Sequence, residues 1–175
     1  SPTETAIETM LDHFHGQWTP GIGLAAKQIG LSPGETIILA SIIEKEAQID
    51  SEREIISSVY HNRLRTGWKL DADPTVLYGL GNPPRSLTRV DLRTDTPYNT
   101  YLHKGLPPGP ICNPGRASIM AALRPAKTPY FYFVASGDGG HYFSETLDQH
   151  HRMVHRYQKS RRSQQIAKTP DSDDY

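Results

Sequence analysis

The chain has almost no cysteine: one, Cys112, in 175 residues. A single thiol excludes an internal disulfide framework and a cysteine-built zinc site. It leaves the compartment open, since cysteine-poor chains suit cytosol and periplasm alike. Excess charge of one sign is also missing, with 19 basic against 19 acidic residues, so there is no electrostatic footprint for nucleic acid. No apolar run approaches the roughly 20 residues of a membrane span, and Ser1-Pro2-Thr3 opens no signal-peptide pattern. A membrane anchor would therefore belong to a longer parent chain. Two tryptophans against nine tyrosines favour polar-edged grooves over a greasy pocket.

What is plentiful is punctuation: 14 prolines and 14 glycines break a chain of one-domain length into many short elements. Thr5 to Phe14 has helical spacing through Ile7, Met10, Leu11 and Phe14, and "WTPGIG" is expected to break it. Ser32-Pro33-Gly34-Glu35 combines a serine cap, a first-turn proline and a glutamate three residues after the cap, which predicts a helix to about Gln48. Ser51-Glu52-Arg53-Glu54 predicts a second capping box, opening a helix that Gly67 stops. Asp73-Pro74 marks a short helix through Tyr78, and Thr88 to Leu92 marks another. "GLPPGPICNPG", Gly105 to Gly115, is a loop because its prolines donate no ladder hydrogen bonds. Asn113-Pro114 is expected to open a helix through Leu123. "YFYFVA", Tyr130 to Ala135, is the best strand, and "SGDGG" turns it into "HYFS" as a hairpin. Ser144 is expected to cap a last helix ending near Tyr157. The class is α+β, dominated by helices.

The stretch "LASIIEKEAQ", Leu39 to Gln48, places two glutamates in an apolar run. At about 100° per residue, with Leu39 at zero, Ile42 falls near 300°, Ile43 near 40° and Glu46 near 340°. Glu46 thus lies within the apolar stripe, whereas Glu44, near 140°, lies off it. A carboxyl among apolar groups is costly to ionise, so its pKa rises, as a general acid working near neutral pH requires. The same position also suits a buried glutamate paired with an arginine, and the wheel alone leaves both readings open.

These residues belong to longer motifs. "LASIIEKEA", "VYHNRL", "DADPTVLYGLG", "TPYNTYLHKGLPPGPICNPG" and "AALRPAKTPYFYFVASGDGGHYFS" follow in this order. Together they resemble the catalytic domain of the endolytic murein transglycosylases, the MltG/YceG-like family, from Leu31 to Tyr157. The resemblance implies a lysozyme-like, helix-dominated catalytic domain over residues 31–158, with a small β-hairpin and long ordered loops. Residues 1–30 would be a connecting segment and residues 159–175 a polar, disordered tail. It implies cleavage of nascent peptidoglycan strands between N-acetylmuramic acid and N-acetylglucosamine, without water, leaving 1,6-anhydro ends. The parent protein would be anchored on the periplasmic side of the bacterial cytoplasmic membrane, this fragment being soluble and peptidoglycan synthases being possible partners. No cofactor or metal is implied.

The resemblance places the essential glutamate in "EKE", here Glu46, with Glu44 as a secondary candidate. Asp73, Thr75, Tyr98, Asn99, Tyr101 and His141 are candidate substrate contacts. Asp73 before a proline also suits a plain helix cap, and His141 a packed structural histidine. One departure stands out: Asp71 and Ala72 precede Asp73 where an amide is expected, so Asp71 would bring extra charge to the groove. Two rival readings remain, a hydrolysing muramidase with Asp71 or Asp73 as second carboxylate, and a peptidoglycan-binding module without activity.

Other signals fall short. "GIGLAA", Gly21 to Ala26, lacks the preceding strand of a dinucleotide fingerprint. His151 and His155 have zinc-ligand spacing but lack the glutamate of the protease motif. Cys112 has no partner base. "KSRR", Lys159 to Arg162, reads as solvated charge.

Overall fold

A computed structural model describes Gly16 and residues 19–167, with side chains up to Tyr157. Helix α1 spans Pro20–Gln28, α2 Pro33–Glu46, α3 Arg53–Arg65, α4 Asp73–Gly79 and α5 Arg116–Leu123. Strands β1, Tyr132–Ala135, and β2, His141–Ser144, pair antiparallel, with Tyr132 opposite Ser144 and Ala135 opposite His141. Helix α6, Leu147–Ala167, follows. Among the described residues, six helices and one two-stranded sheet make this a helix-dominated α+β fold.

Local chemistry explains most boundaries. Ser32 Oγ accepts from the Glu35 amide at 3.2 Å and Glu35 accepts from the Ser32 amide at 2.8 Å. This is the expected reciprocal box, and it starts α2 with Pro33 in the first turn. Gly67 adopts φ +71°, and the Trp68 amide reaches back to the Arg63 carbonyl at 2.9 Å, closing α3 in a Schellman turn.

Other boundaries differ from the sequence reading. Within "WTPGIG", Thr19 is extended and caps α1, and Pro20 opens it, so "GIGLAA" is helical. No side-chain cap opens α3; a 3-10 turn at Asp50–Glu52 runs straight into it. The Ser51 box does not form: Ser51 lies inside the 3-10 turn, where Asp50 accepts from Arg53 Nε at 3.1 Å and Glu52 is engaged by His141. Thr88 to Leu92 yields only a 3-10 turn, Asp91–Arg93. It is organised by Asp91, which accepts from Arg85 and from the Thr88 amide and hydroxyl. Helix α5 begins two residues after Pro114. Thr146, not Ser144, caps α6 through a reciprocal pair with Gln149, while Ser144 is a buried strand residue. Helix α6 runs ten residues past Tyr157 into the stretch expected to be a polar tail; lysine, arginine and glutamine are good helix formers. The expected helix at Thr5 to Phe14 and residues 168–175 lie outside the described residues.

The core gathers around α2. Leu39, Ile42 and Ile43 pack with Ile56 and Tyr60 of α3, Ala121 and Ala122 of α5, and Leu70, Ala72 and Ile111 from the connections. Ser41 pins the proline-rich loop to this helix, accepting from the Ile111 amide at 3.0 Å. The end of α2 is therefore fixed by packing on several sides. Ile42→Ala, at a site with 0% exposure, should cost about 2–5 kcal/mol in a denaturant titration. Leu24→Ala, at 62% exposure, should stay within about 0.5 kcal/mol of wild type.

Candidate active site

Glu46 is the last residue of α2, placed where the buried stripe of Leu39, Ile42 and Ile43 runs out of core. There it meets a cleft of about 420 Å³. Lys45 and Glu46 line it from α2, Asp71 and Asp73 from the entry to α4, Tyr101 from the long loop, and Phe133 and His141 from the hairpin. Tyr60, buried in the core, donates its hydroxyl to Glu46 Oε1 at 3.1 Å. Burial pushes the Glu46 carboxyl up to about 7; the Tyr60 hydrogen bond opposes the rise and the Asp73 charge adds to it. No arginine or lysine pairs with Glu46 among the described residues. A carboxyl in this state gives and takes a proton near neutral pH.

Glu44, two residues earlier, has the opposite surroundings. Its carboxylate accepts from Ser118 Oγ and from the Gly115 amide at 3.3 Å, and Arg53 lies 3.6 Å away. It places negative charge at the start of α5, where Gly115 gives no side-chain cap, a favourable position for a carboxylate. The arginine partner that the wheel left open for Glu46 is thus found beside Glu44 instead, whose carboxylate faces α5 and does not line the cleft.

The structure divides the expected substrate contacts. Tyr101, Asp73 and His141 line the cleft. Asp73 is not a helix cap, since no side-chain cap bond opens α4; its Oδ1 accepts from the Tyr101 hydroxyl at 2.6 Å. Burial and then the Asp73 hydrogen bond hold that phenol firmly protonated. Thr75 is fully buried, bonded to the Ala72 carbonyl at 2.7 Å and Thr100 Oγ1 at 2.9 Å, which leaves it no face for a ligand. Asn99 is equally buried. Its amide donates to the Leu92 and Thr94 carbonyls and its oxygen accepts from the Tyr101 amide, so it shapes the loop. Tyr98 packs on Tyr78 with ring centroids 4.8 Å apart, away from the cleft lining. Asp71 does line the cleft, at φ +50°. Burial raises its pKa, and Arg63, 3.1 Å away, pulls it back.

Sequence reasoning gave no role to Tyr60, Arg63 or Glu52. Tyr60 and Arg63 stand three apart in "VYHNRL", hence on one helical face, a signal that was available. Arg63 donates to the Phe131 carbonyl at 2.7 Å and the Leu70 carbonyl at 2.9 Å, tying the hairpin entry to the cleft floor. Cys112 donates to the Ser41 carbonyl at 3.3 Å and burial pushes its thiol up, the reverse of an activated nucleophile. His151 and His155 are exposed on α6.

Fold and site together define a helix-dominated α+β domain carrying one protonatable, unpaired carboxyl in an open groove. The model of the YceG-like family matches residues 1–156, and the chain belongs to that family. The endolytic murein transglycosylase of Bacillus subtilis strain 168 is 42% identical over 135 residues, covering 77% of this chain and 38% of that protein. The same-named protein of Streptococcus pneumoniae R6 is 29% identical over 159 residues, covering 86% of this chain and 29% of its own. A crystal structure of a YceG-like protein from Listeria monocytogenes superposes with a TM-score of 0.70 at 45% identity, covering 74% of this chain and 42% of that one. The chain thus spans well under half the length of these relatives.

Because the folded state holds Glu46 protonated up to about 7, its contribution to stability is complete below the unfolded carboxyl pKa. It is lost as pH rises through the folded value. Glu46→Gln should therefore be more stable than wild type at pH 8, by on the order of 3 kcal/mol, and the difference should vanish near pH 4. Melting curves at the two pH values check this. Tyr60→Phe removes the donor that favours the ionised form, so carboxyl NMR should find Glu46 titrating higher still.

Proposed function

We propose that this domain cleaves peptidoglycan glycan strands as an endolytic murein transglycosylase, with Glu46 as its single acid and base. The observation that carries the reading is the Glu46 carboxyl at the cleft, pushed up to about 7 by burial and unpaired by any cation among the described residues. The names of the relatives support it. Protonated Glu46 gives its proton to the glycosidic oxygen; the bond from that oxygen to C1 of the muramic acid breaks, and positive charge develops at C1. The sugar's own C6 hydroxyl closes onto C1, and its proton returns to Glu46. The product is a 1,6-anhydro end, and the proton balance closes without water or cofactor.

The flanking groups fit this scheme better than a two-carboxylate hydrolysis. Asp71 is tied to Arg63 and Asp73 to Tyr101, so neither stands free to activate water. The Asp73 charge beside Glu46 favours its protonated form and would favour the cationic centre at C1. Tyr101 and His141 bring a ring edge and an imidazole suited to acetamido sugars. In the longer parent chain the domain would act on nascent strands at the periplasmic face of the cytoplasmic membrane, beside the synthases that extend them. No described helix is long and apolar enough to cross a membrane, so the anchor would lie elsewhere in that parent.

Mass spectrometry of digested glycan tests the reading. Anhydro ends from wild type, none from Glu46→Gln, and substantial activity in Glu44→Gln are expected. Ordinary reducing ends would mean a hydrolase, and glycan binding without product would mean a binding module. The turnover rate should fall as pH rises past about 7, because the acid form is then depleted.

A further inference from the structure

The β-hairpin is held against the start of α3 by one side chain. Glu52 Oε1 accepts from the His141 backbone amide at 3.0 Å, and Oε2 accepts from His141 Nδ1 at 2.7 Å. Both side chains are well packed, His141 at 8% and Glu52 at 15% exposure. The turn can come this close because residue 140 is glycine. A Cβ there would lie 3.0 Å from Glu52 Oε1 and 3.2 Å from Ile49 Cδ1. The His141 ring is further braced edge-on by Phe133, with centroids 5.3 Å apart.

A carboxylate offers two acceptors, and Glu52 uses one for a backbone donor that cannot change. The other oxygen can only accept, so in the neutral ring the proton must sit on Nδ1. Nε2 then carries the lone pair. Among the described residues Nε2 has no hydrogen-bond partner, and His141 lines the same cleft as Glu46.

We propose that Glu52 is a positioning residue for this site. It fixes His141 in place and in tautomer, so that Nε2 meets the bound saccharide as an acceptor for a sugar hydroxyl or acetamido N–H. This rests on the glycan-cleaving reading for its substrate, but the tautomer itself does not depend on that reading.

Glu52→Gln makes the test. The glutamine has nearly the same shape but one acceptor and one donor. Its oxygen is needed by the His141 backbone amide, so its NH2 faces Nδ1, and the ring proton must move to Nε2. Nitrogen-15 NMR of the neutral imidazole should show Nδ1–H in wild type and Nε2–H in the variant, with the backbone spectrum otherwise preserved. The kcat/KM on glycan should fall about ten- to a hundredfold, the range for a donor set against a donor in a partly buried site. His141→Gln, whose side-chain oxygen offers an acceptor, should retain more activity than His141→Phe. A ring proton that stays on Nδ1 in Glu52→Gln would overturn the proposal, as would a tautomer switch that leaves kcat/KM unchanged. Should wild type fail to cleave glycan, the functional reading has failed, and the proposal is judged by titrating a soluble glycan fragment. A shift of the Nε2 resonance on binding supports it, and none overturns it.

Discussion

Burial of one carboxyl at the end of a core helix is the constraint on which the site depends. Glu46 ends α2, whose Leu39, Ile42 and Ile43 are sealed in the core, so packing fixes its backbone at the cleft. Desolvation then does what no neighbouring cation undoes. The single hydroxyl from Tyr60 orients the group without holding it ionised. Ionising this carboxyl therefore works against the fold, the kind of cost that is common at functional positions.

The rest of the cleft is arranged around that group by side chains that serve backbone rather than ligand. Arg63 spans the entry of β1 and the floor before α4. Glu52 fastens the far end of the hairpin. Asn99 and Thr75 brace the long loop from within. Residues 80–115 hold one 3-10 turn and no longer element, so their buried backbone groups need partners from elsewhere. That need explains why the polar motifs there are dense, and why only some of their members reach the groove.

The same need marks the limit of what could be read from residues alone. The Ser32 box and the direction of Glu46 were legible, because each follows from contacts three or four residues apart on one helix. The Ser51 box was not: Ser51 lies within a 3-10 turn whose Glu52 is engaged by His141, 89 residues away. Thr75, Tyr98 and Asn99 looked like sugar contacts because their groups have the right chemistry. Their absence from the cleft is set by packing between distant segments, which no local pattern carries. Asp73 shows the converse: a sequence that suits a helix cap, yet a carboxylate drawn into the groove by the Tyr101 hydroxyl.

Three acids of this chain show how surroundings divide one functional group into different roles. Asp91 receives both guanidinium nitrogens of Arg85 and two donors from Thr88. These hold it well below the usual carboxylate range, so it stays ionised and fastens a loop. Glu44 receives a hydroxyl, a helix-start amide and a nearby guanidinium, and fastens α5 to α2. Glu46 receives a single phenol, and burial outweighs it. Each added donor or cation favours the carboxylate, while burial favours the acid. A carboxyl can shuttle a proton near neutral pH only when the two nearly balance. Moving along the helix from Glu44 to Glu46 exchanges a hydroxyl, a helix-start amide and a guanidinium for a single phenol and deeper burial.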